Sequence, residues 1–127
     1  MNRDMIDLHI HLLSGLDDGA DSLGQSLQMC HLGAADGATT VVATAHMFDG
    51  VFDVTRAELL DAVELLREAL DAAGLDLRVE PGGDTHICPD LAARAADEQT
   101  VTIGDAGRYL LVELPRDIVP PGSREVL

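Results

Sequence analysis

The residues of this 127-residue chain best suited to chemistry are histidines and carboxylates that follow apolar segments. His9 comes directly after the mainly apolar residues 5–8, and His11 follows two positions later. His46 follows residues 39–44, which are rich in β-branched side chains. Residues i and i+2 of an extended segment point to the same side, so His9 and His11 can bind one cation together. A histidine pair with this spacing also arises by chance, so it does not establish a metal site alone.

Three carboxylates complete the set of candidate ligands. Asp18 lies in the Gly/Asp-rich loop 14–20, Asp84 follows a Pro-Gly-Gly segment, and Glu113 lies within the apolar residues 109–114. A site with three histidines, two aspartates and a glutamate favours a hard-to-borderline divalent metal over a thiolate site. A carboxylate such as Glu113 could bridge two metals, and paired metals activate water and stabilise both oxygens of a phosphoryl transfer.

Structural roles compete with the metal hypothesis at several of these positions. Asp17 and Asp18 before Gly19 fit a turn, and a turn is the stronger interpretation for Asp18 taken alone. Asp84, which comes after two glycines, has the same alternative, and His46 could be an ordinary polar loop residue. Glu113 is harder to explain in this way because a carboxylate in a buried strand needs a partner. We assign no role to His31 and leave His86 open.

The elements that must position these residues alternate along the chain. Strands are predicted at residues 5–8, 39–44, 77–80 and 109–114, with a brief strand at 101–103. Helices are predicted at 22–37, 55–74 and 90–96, and their apolar stripes are Leu23, Leu27, Cys30 and Ala34 in the first helix and Leu59, Val63, Leu66 and Leu70 in the second. This order predicts an α/β fold with parallel strands and helical crossovers. The carboxyl ends of such strands converge on one face, where ligands distant in sequence would meet.

Composition narrows the range of partners and locations. Eight arginines, no lysine and 23 acids give a formal net charge of −15, which argues against nucleic acid or an anionic membrane as a partner. The chain has no apolar run of 18 residues and no apolar signal region near its N-terminus, so we expect a cytoplasmic protein without membrane insertion. Cys30 and Cys88 do not form a close pair, and we expect both to be reduced rather than catalytic.

Four segments resemble motifs of one family in the correct order. Residues 5–20 (MIDLHIHLLSGLDDGA) closely resemble the opening motif of bacterial protein-tyrosine phosphatases of the polymerase-and-histidinol-phosphatase (PHP) superfamily. Residues 43–46 (ATAH) resemble the family's Ala-Thr-Pro-His, and residues 82–91 (GGDTHICPDL) resemble its Gly-x-Glu-x-x-Ile-x-Pro-Asp-Leu. Residues 110–115 (LLVELP) resemble its Leu-Leu-Glu-Phe/Leu-Pro strand. The resemblance covers nearly the whole chain.

The resemblance implies a fold, a metal site and a reaction. The implied fold is the N-terminal half of a distorted (β/α)₇ PHP barrel, which is TIM-like, with residues 1–127 forming one partial domain. The implied metal ligands are His9, His11, Asp18, His46, Asp84 and Glu113. In the family a manganese-type multinuclear cluster activates a hydroxide for attack on phosphotyrosine, without a cysteine nucleophile. We therefore expect Mn²⁺ first, with Fe²⁺, Zn²⁺ or Mg²⁺ as alternatives. The implied substrate is a phosphotyrosine protein, commonly a bacterial tyrosine kinase that controls capsular or exopolysaccharide export.

The sequence departs from the family pattern in three ways. Asp84 stands where the family usually has Glu, and Ala45 replaces the usual Pro before His46. The family's later ligands, a His within His-Pro-Glu-Arg and an Asp-x-His, have no counterpart up to Leu127. A half-barrel would leave open sheet edges, so we expect either a homo-oligomer or pairing with a missing C-terminal half.

Three functions therefore remain open from the sequence. The first is a metal-dependent protein-tyrosine phosphatase. The second is a related phosphatase that acts on a small phosphate monoester such as histidinol phosphate. The third is a truncated, non-catalytic half-barrel that binds metal without turnover.

Overall fold

The computed structural model describes residues 4–127, so the first three residues of the N-terminal segment considered above lie outside the described part. Strands and helices alternate along the described chain as β1 (Met5–Ile10), α1 (Leu23–Ala35), β2 (Ala38–Met47), α2 (Arg56–Ala73), β3 (Arg78–His86), α3 (Leu91–Ala96), β4 (Leu111–Glu113) and α4 (Ser123–Val126). A 3₁₀ turn at Ile103–Asp105 precedes β4.

The strands form one sheet in the order β1-β2-β3-β4, and every neighbouring pair is parallel. Helix α1 connects β1 to β2, and helix α2 connects β2 to β3. The predicted α/β fold with helical crossovers is therefore confirmed. Because the strands are parallel, their carboxyl ends lie at one edge of the sheet.

Strands β2 and β3 are longer than the sequence predicts, and both extend into the candidate ligands. Strand β3 continues through residues 81–83, which had been expected to end it. Gly82 and Gly83 allow close packing within the sheet. A Cβ at Gly82 would lie 2.6 Å from Val42 Cγ1, and one at Gly83 would lie 2.6 Å from Met47 Sδ. His46 and Asp84 consequently lie within strands and are register partners.

The brief strand predicted at residues 101–103 is wrong. Val101 is fully buried, and its carbonyl accepts a single hydrogen bond from Gly83 N at 2.8 Å. Ile103 N donates instead to Tyr109 O at 2.8 Å, which closes a turn. The apolar residues of this segment therefore pack against β3 without forming a ladder.

The core lies between the sheet and its helices. Helix α2 begins with a capping box formed by Thr55 and Glu58 and ends at Gly74, which has a left-handed backbone, as predicted. Its predicted stripe is buried throughout: Leu59, Val63, Leu66 and Leu70. Among residues 4–127, none of the helices is long and apolar enough to cross a membrane.

The predicted stripe of α1 is only partly correct. Cys30 is buried, but Leu23 is 41% exposed, and Ser26 is buried in place of a leucine. The buried face includes Ser26 because its hydroxyl donates to Leu12 O at 2.5 Å, which anchors the helix to the segment after β1. The exposure of Leu23 shows that this end of the helix lacks a covering layer within the described residues.

Strand β1 leaves apolar side chains in solvent. Met5, Ile6 and Leu8 are 40%, 59% and 51% exposed. Within residues 4–127, β1 has β2 as its only neighbour in the sheet. The open edge expected for a half-barrel is therefore present among the described residues, together with an exposed apolar face.

Candidate metal centre

The six predicted ligands converge at the carboxyl edge of the sheet. They come from all four strands or the segments beside them: His9 and His11 at the end of β1, Asp18 in the loop before α1, His46 in β2, Asp84 in β3 and Glu113 in β4. Their donor atoms fall into clusters in which all atoms lie within 4.8 Å of one another. Convergence from segments up to 104 positions apart (9 to 113) is what the parallel topology predicts.

The first metal group consists of His9, His11 and Asp84. The Nε2 atoms of His9 and His11 lie 3.2 Å apart, and each lies 3.2–3.3 Å from Asp84 Oδ2. Ligand atoms about 2.1 Å from a shared cation, at angles of 90–109°, are separated by about 3.0–3.4 Å. The edges of this triangle therefore have the lengths expected around one divalent cation.

The second metal group consists of His46, Asp84 and Glu113. His46 Nδ1 lies 3.3 Å from Asp84 Oδ2 and 3.2 Å from Glu113 Oε2. Asp84 Oδ2 belongs to both groups, so Asp84 would help to hold a cation in either of them.

Asp18 approaches the other nitrogen of the His46 ring. Its Oδ1 lies 3.2 Å from His46 Nε2 and 3.7 Å from His11 Nδ1, and its side chain is 63% exposed. The turn interpretation considered for Asp18 applies instead to its neighbour Asp17, whose Oδ1 accepts a hydrogen bond from Gly19 N at 3.0 Å.

Asp17 is the residue at this site that sequence reasoning missed as a functional candidate. Its side chain is only 1% exposed, and its Oδ2 lies 2.9 Å from His11 Nδ1 and accepts from His46 N at 3.0 Å. The Asp-Asp-Gly motif was a visible signal, but local turn chemistry accounted for it fully. The contact with His46, which is 29 residues away, cannot be predicted from local spacing.

The charged groups of the site change one another's pKa values. Hydrogen bonds to Asp17 and Asp84 raise the pKa of His11 to about 10, against a smaller opposing effect of burial. Burial raises the pKa of Asp17, but hydrogen bonds from His11, His46 and Gly19 outweigh it, so the net pKa is lowered. For Asp84, burial is likewise outweighed by His11, His9 and His46, and the net pKa is lowered. Both aspartates are therefore carboxylates at neutral pH.

Two buried atoms test whether these residues fit a metal. His46 Nδ1 and Asp84 Oδ1 have no hydrogen-bond partner among the described residues. For His46 Nδ1 this holds although two carboxylate oxygens lie within 3.3 Å, because neither contact has hydrogen-bond geometry. An imidazole lone pair beside carboxylates is the arrangement that a divalent cation completes. The donor set therefore fits a divalent metal.

Glu113 differs from its sequence interpretation, and the structure places His86 beside it. Glu113 was expected to be buried, but its side chain is 39% exposed, because β4 is an edge strand within the described residues. His86, which was left open, lies in β3 and is the register partner of Glu113. His31 is exposed on α1, outside the site.

A cavity of about 370 Å³ opens beside the second metal group. Its lining combines ligand candidates with apolar and cationic side chains: Asp18, His46, Asp49, Val51, Phe52, His86, Glu113, Leu114, Pro115 and Arg116. The Phe52 ring stacks on the His46 imidazole with centroids 5.9 Å apart and planes inclined by 20°. The cavity therefore offers an aromatic surface and a guanidinium next to the candidate ligands.

The fold and site together define a class: an α/β half-barrel with a histidine–carboxylate cluster at the carboxyl ends of its strands. The chain belongs to the CpsB/CapC family, described as capsular polysaccharide synthesis, whose model matches residues 5–118. It is 33% identical over 116 residues to the tyrosine-protein phosphatase YwqE of Bacillus subtilis (strain 168), covering 91% of this chain and 45% of that protein. It is 27% identical over 109 residues to the tyrosine-protein phosphatase CpsB of Streptococcus pneumoniae, covering 86% of this chain and 44% of that protein.

A solved structure agrees with these relatives. The fold superimposes with a TM-score of 0.89 and 31% identity on a chain from the crystal structures of YwqE from Bacillus subtilis and CpsB from Streptococcus pneumoniae, described as unique metal-dependent tyrosine phosphatases. The match covers 95% of this chain and 49% of that chain. The family and half-barrel implied by the sequence motifs are therefore confirmed, and the chain spans about half the length of the relatives it matches.

Proposed function

We propose that this chain carries the N-terminal part of a metal-dependent protein-tyrosine phosphatase site. The observation that carries the proposal is the pair of ligand groups that share Asp84 Oδ2. The names of the relatives support phosphotyrosine as the substrate class over a small phosphate monoester. The proposed ligands are the six residues predicted from sequence: His9, His11, Asp18, His46, Asp84 and Glu113.

Each part of the site has a distinct task in this proposal. Bound divalent cations would neutralise phosphate charge and activate a water for attack on phosphorus. Phe52 and Leu114, which line the adjacent cavity, would contact the tyrosine ring, and Arg116 on the same lining would approach the phosphate. An apolar wall of this kind favours an aryl phosphate over a small polar monoester.

Several finer features belong to the same proposal. Manganese is the proposed metal because the site mixes imidazole with carboxylate ligands, and Fe²⁺, Zn²⁺ and Mg²⁺ are alternatives. The proposed partner is a bacterial tyrosine kinase of capsular or exopolysaccharide synthesis, which is supported by the family description. The proposed location is the cytoplasm. Residues 1–127 would act as a partial PHP domain whose open edge at β1 pairs with a second copy or with a C-terminal half.

The test is manganese-dependent hydrolysis of a phosphotyrosine peptide by the purified chain, compared with His9→Ala and His31→Ala. His9 belongs to the first metal group, whereas His31 is an exposed histidine of α1 outside the site. We expect His9→Ala to abolish turnover and His31→Ala to leave it unchanged. Equal activity in the two variants would contradict the proposed site.

Two further outcomes separate the alternatives. Faster turnover of histidinol phosphate than of the peptide would support the small-molecule phosphatase. A folded chain that binds manganese at the proposed ligands but hydrolyses neither substrate would support the non-catalytic half-barrel.

A further inference from the structure

Asp17 lies deepest among the acids of the loop between β1 and α1. Its side chain is 1% exposed, whereas that of the adjacent Asp18 is 63% exposed. A buried carboxylate without partners is costly, so the donors around it define what it does. Those donors come from three separate segments: His11 after β1, Gly19 in the loop and His46 in β2.

The two oxygens of Asp17 have different partners. Oδ1 accepts from Gly19 N at 3.0 Å, which is an Asx turn within the loop. Oδ2 accepts from His46 N at 3.0 Å and lies 2.9 Å from His11 Nδ1. One carboxylate therefore joins the loop to two strands that carry candidate ligands.

The loop is packed tightly against His11. A Cβ at Gly19 would lie 2.4 Å from His11 O and 2.6 Å from His11 Cβ, so only glycine fits there. Ala20 N also donates to His11 O at 3.3 Å. This packing fixes Asp17 relative to the His11 ring.

The opposite nitrogen of the His11 ring faces the first metal group. His11 Nε2 lies 3.2 Å from His9 Nε2 and 3.3 Å from Asp84 Oδ2. A histidine that donates one N–H to a carboxylate presents a lone pair on its other nitrogen once a metal displaces the second proton and leaves the ring neutral, and such carboxylates orient metal ligands. A carboxylate oxygen of Asp17 also lies within 4.8 Å of candidate ligand atoms of its neighbours at the site. Both Asp17 oxygens, however, are already engaged by N–H groups, which favours an orienting role over direct ligation.

We propose that Asp17 is a positioning residue that accepts the Nδ1–H of His11 and so directs His11 Nε2 towards His9 and Asp84. It also holds β1 and β2 in register at the site through the backbone N–H of His46. This role rests on the proposed function, because His11 is a ligand only if the metal site exists. The hydrogen bond to His11 exists independently of a metal and can be tested separately.

The test uses three variants of the full 127-residue chain: Asp17→Asn, Asp17→Ala and, as control, Asp105→Asn. The two Asp17 variants remove the same charge, but the asparagine oxygen can replace Oδ2 and keep both of its donors, losing only the bond from Gly19. Asp105 forms an ion pair with Arg56 away from the site, so its variant controls for loss of one negative charge.

The first measurement is the His11 Nδ1–H proton in nitrogen-15 NMR spectra of the metal-free chain. We expect a downfield, exchange-protected resonance in the wild type, Asp17→Asn and Asp105→Asn, and its loss in Asp17→Ala. Its absence from the wild type, or its presence in Asp17→Ala, would overturn the proposal.

The second measurement is Zn²⁺ and Mn²⁺ affinity and stoichiometry, by competition with a chromophoric chelator. We expect Asp17→Ala to bind roughly 10–100-fold more weakly than Asp17→Asn at unchanged stoichiometry, as for loss of an outer partner. Loss of one bound metal in Asp17→Asn would make Asp17 a direct ligand and overturn the proposal. Equal affinity in the two variants would also overturn it.

Two other results remain distinguishable. A wild-type chain that binds neither metal would contradict the proposed function, while the NMR measurement would still decide the role of Asp17. If Asp17→Ala does not fold, Asp17→Asn is compared with Asp105→Asn instead. The proposal then requires that both variants keep the His11 Nδ1–H resonance and the same metal stoichiometry. Unfolding of Asp17→Asn as well would show that the carboxylate mainly holds the loop, which would overturn the positioning role.

Discussion

Four of the acids at the site form two pairs that differ in burial. The inner acids, Asp17 and Asp84, are each 1% exposed, whereas the outer acids, Asp18 and Glu113, are 63% and 39% exposed. Each inner acid contacts at least two of the histidines or their backbone. Each outer acid contacts the His46 ring from a different side. The fold therefore fixes the inner acids, while the outer acids lie on the solvent-exposed side of the site.

The location of each pair in the fold explains the difference. Asp84 lies in β3, which has a neighbouring strand on both sides. Asp17 is held on the inner side of its loop by hydrogen bonds from three N–H groups. Within residues 4–127, Glu113 lies on an edge strand, β4, and Asp18 lies at the surface of the loop that also holds Asp17. Because Coulomb and hydrogen-bond interactions strengthen in a low dielectric, the inner acids should dominate both metal affinity and local stability.

The largest expected effect is a loss of Mn²⁺ affinity when Asp84 is substituted, and Glu113 provides the comparison. Asp84→Asn removes the negative charge of a carboxylate shared by both metal groups, so we expect Mn²⁺ affinity to fall by more than the roughly 10–100-fold typical of losing a residue that only orients a ligand. Glu113→Gln removes the charge of a carboxylate that belongs to one group only and should cost less. Chelator competition with metal counting measures both. A larger loss for Glu113→Gln would reverse the proposed order of inner and outer acids.

The next largest expected effect is a fall in the unfolding free energy of the metal-free chain as the pH rises. The pKa of His11 is raised to about 10 in the folded state from 6.5, by its hydrogen bonds to Asp17 and Asp84. Stabilisation from protonated His11 is therefore complete below pH 6.5 and is lost as the pH rises through about 10. We expect roughly 1.5–3 kcal/mol of unfolding free energy to disappear across this range, the usual contribution of a hydrogen bond to a charged group.

Urea unfolding of the metal-free chain at pH 6.5, 8 and 9.5 measures this loss. The same series on Asp17→Asn should show a smaller decline, because one of the two carboxylates that hold the proton is gone. A stability that rises with pH in the wild type would contradict the assignment to His11.

The smallest effect concerns the glycine that packs the loop against His11. Gly19→Ala places a Cβ 2.4 Å from His11 O, so the backbone of the loop must shift. We expect a loss of about 1–3 kcal/mol in unfolding free energy, as for other overpacked sites. Thermal or urea unfolding measures it.

Gly24→Ala in α1 is the matched control for that substitution. A Cβ there meets only Ser22 Oγ at 3.8 Å, so stability should be unchanged or rise by up to about 1 kcal/mol. Equal stability of the two variants would mean that the loop adapts freely and does not hold Asp17 in place.

The sequence by itself determined the order of the main strands and crossover helices and the set of six candidate ligands. Alternating apolar segments predicted parallel strands, and the parallel arrangement predicted that His9, His46 and Glu113 would meet at one edge. Both predictions depend on patterns that are local in the chain, such as the stripe and caps of α2. Local patterns fix local structure, and the handedness and length of the crossovers then leave few arrangements for the sheet.

Only the tertiary structure decided how burial and hydrogen-bond partners are divided among those residues. Nothing in the Asp-Asp-Gly sequence indicates that Asp17 turns inward and Asp18 outward, because the deciding donor is the backbone of His46 in another strand. Nor does the apolar setting of Glu113 reveal that β4 is an edge strand among residues 4–127. Burial and partner choice depend on what surrounds a side chain in three dimensions, and that environment is assembled from segments far apart in sequence.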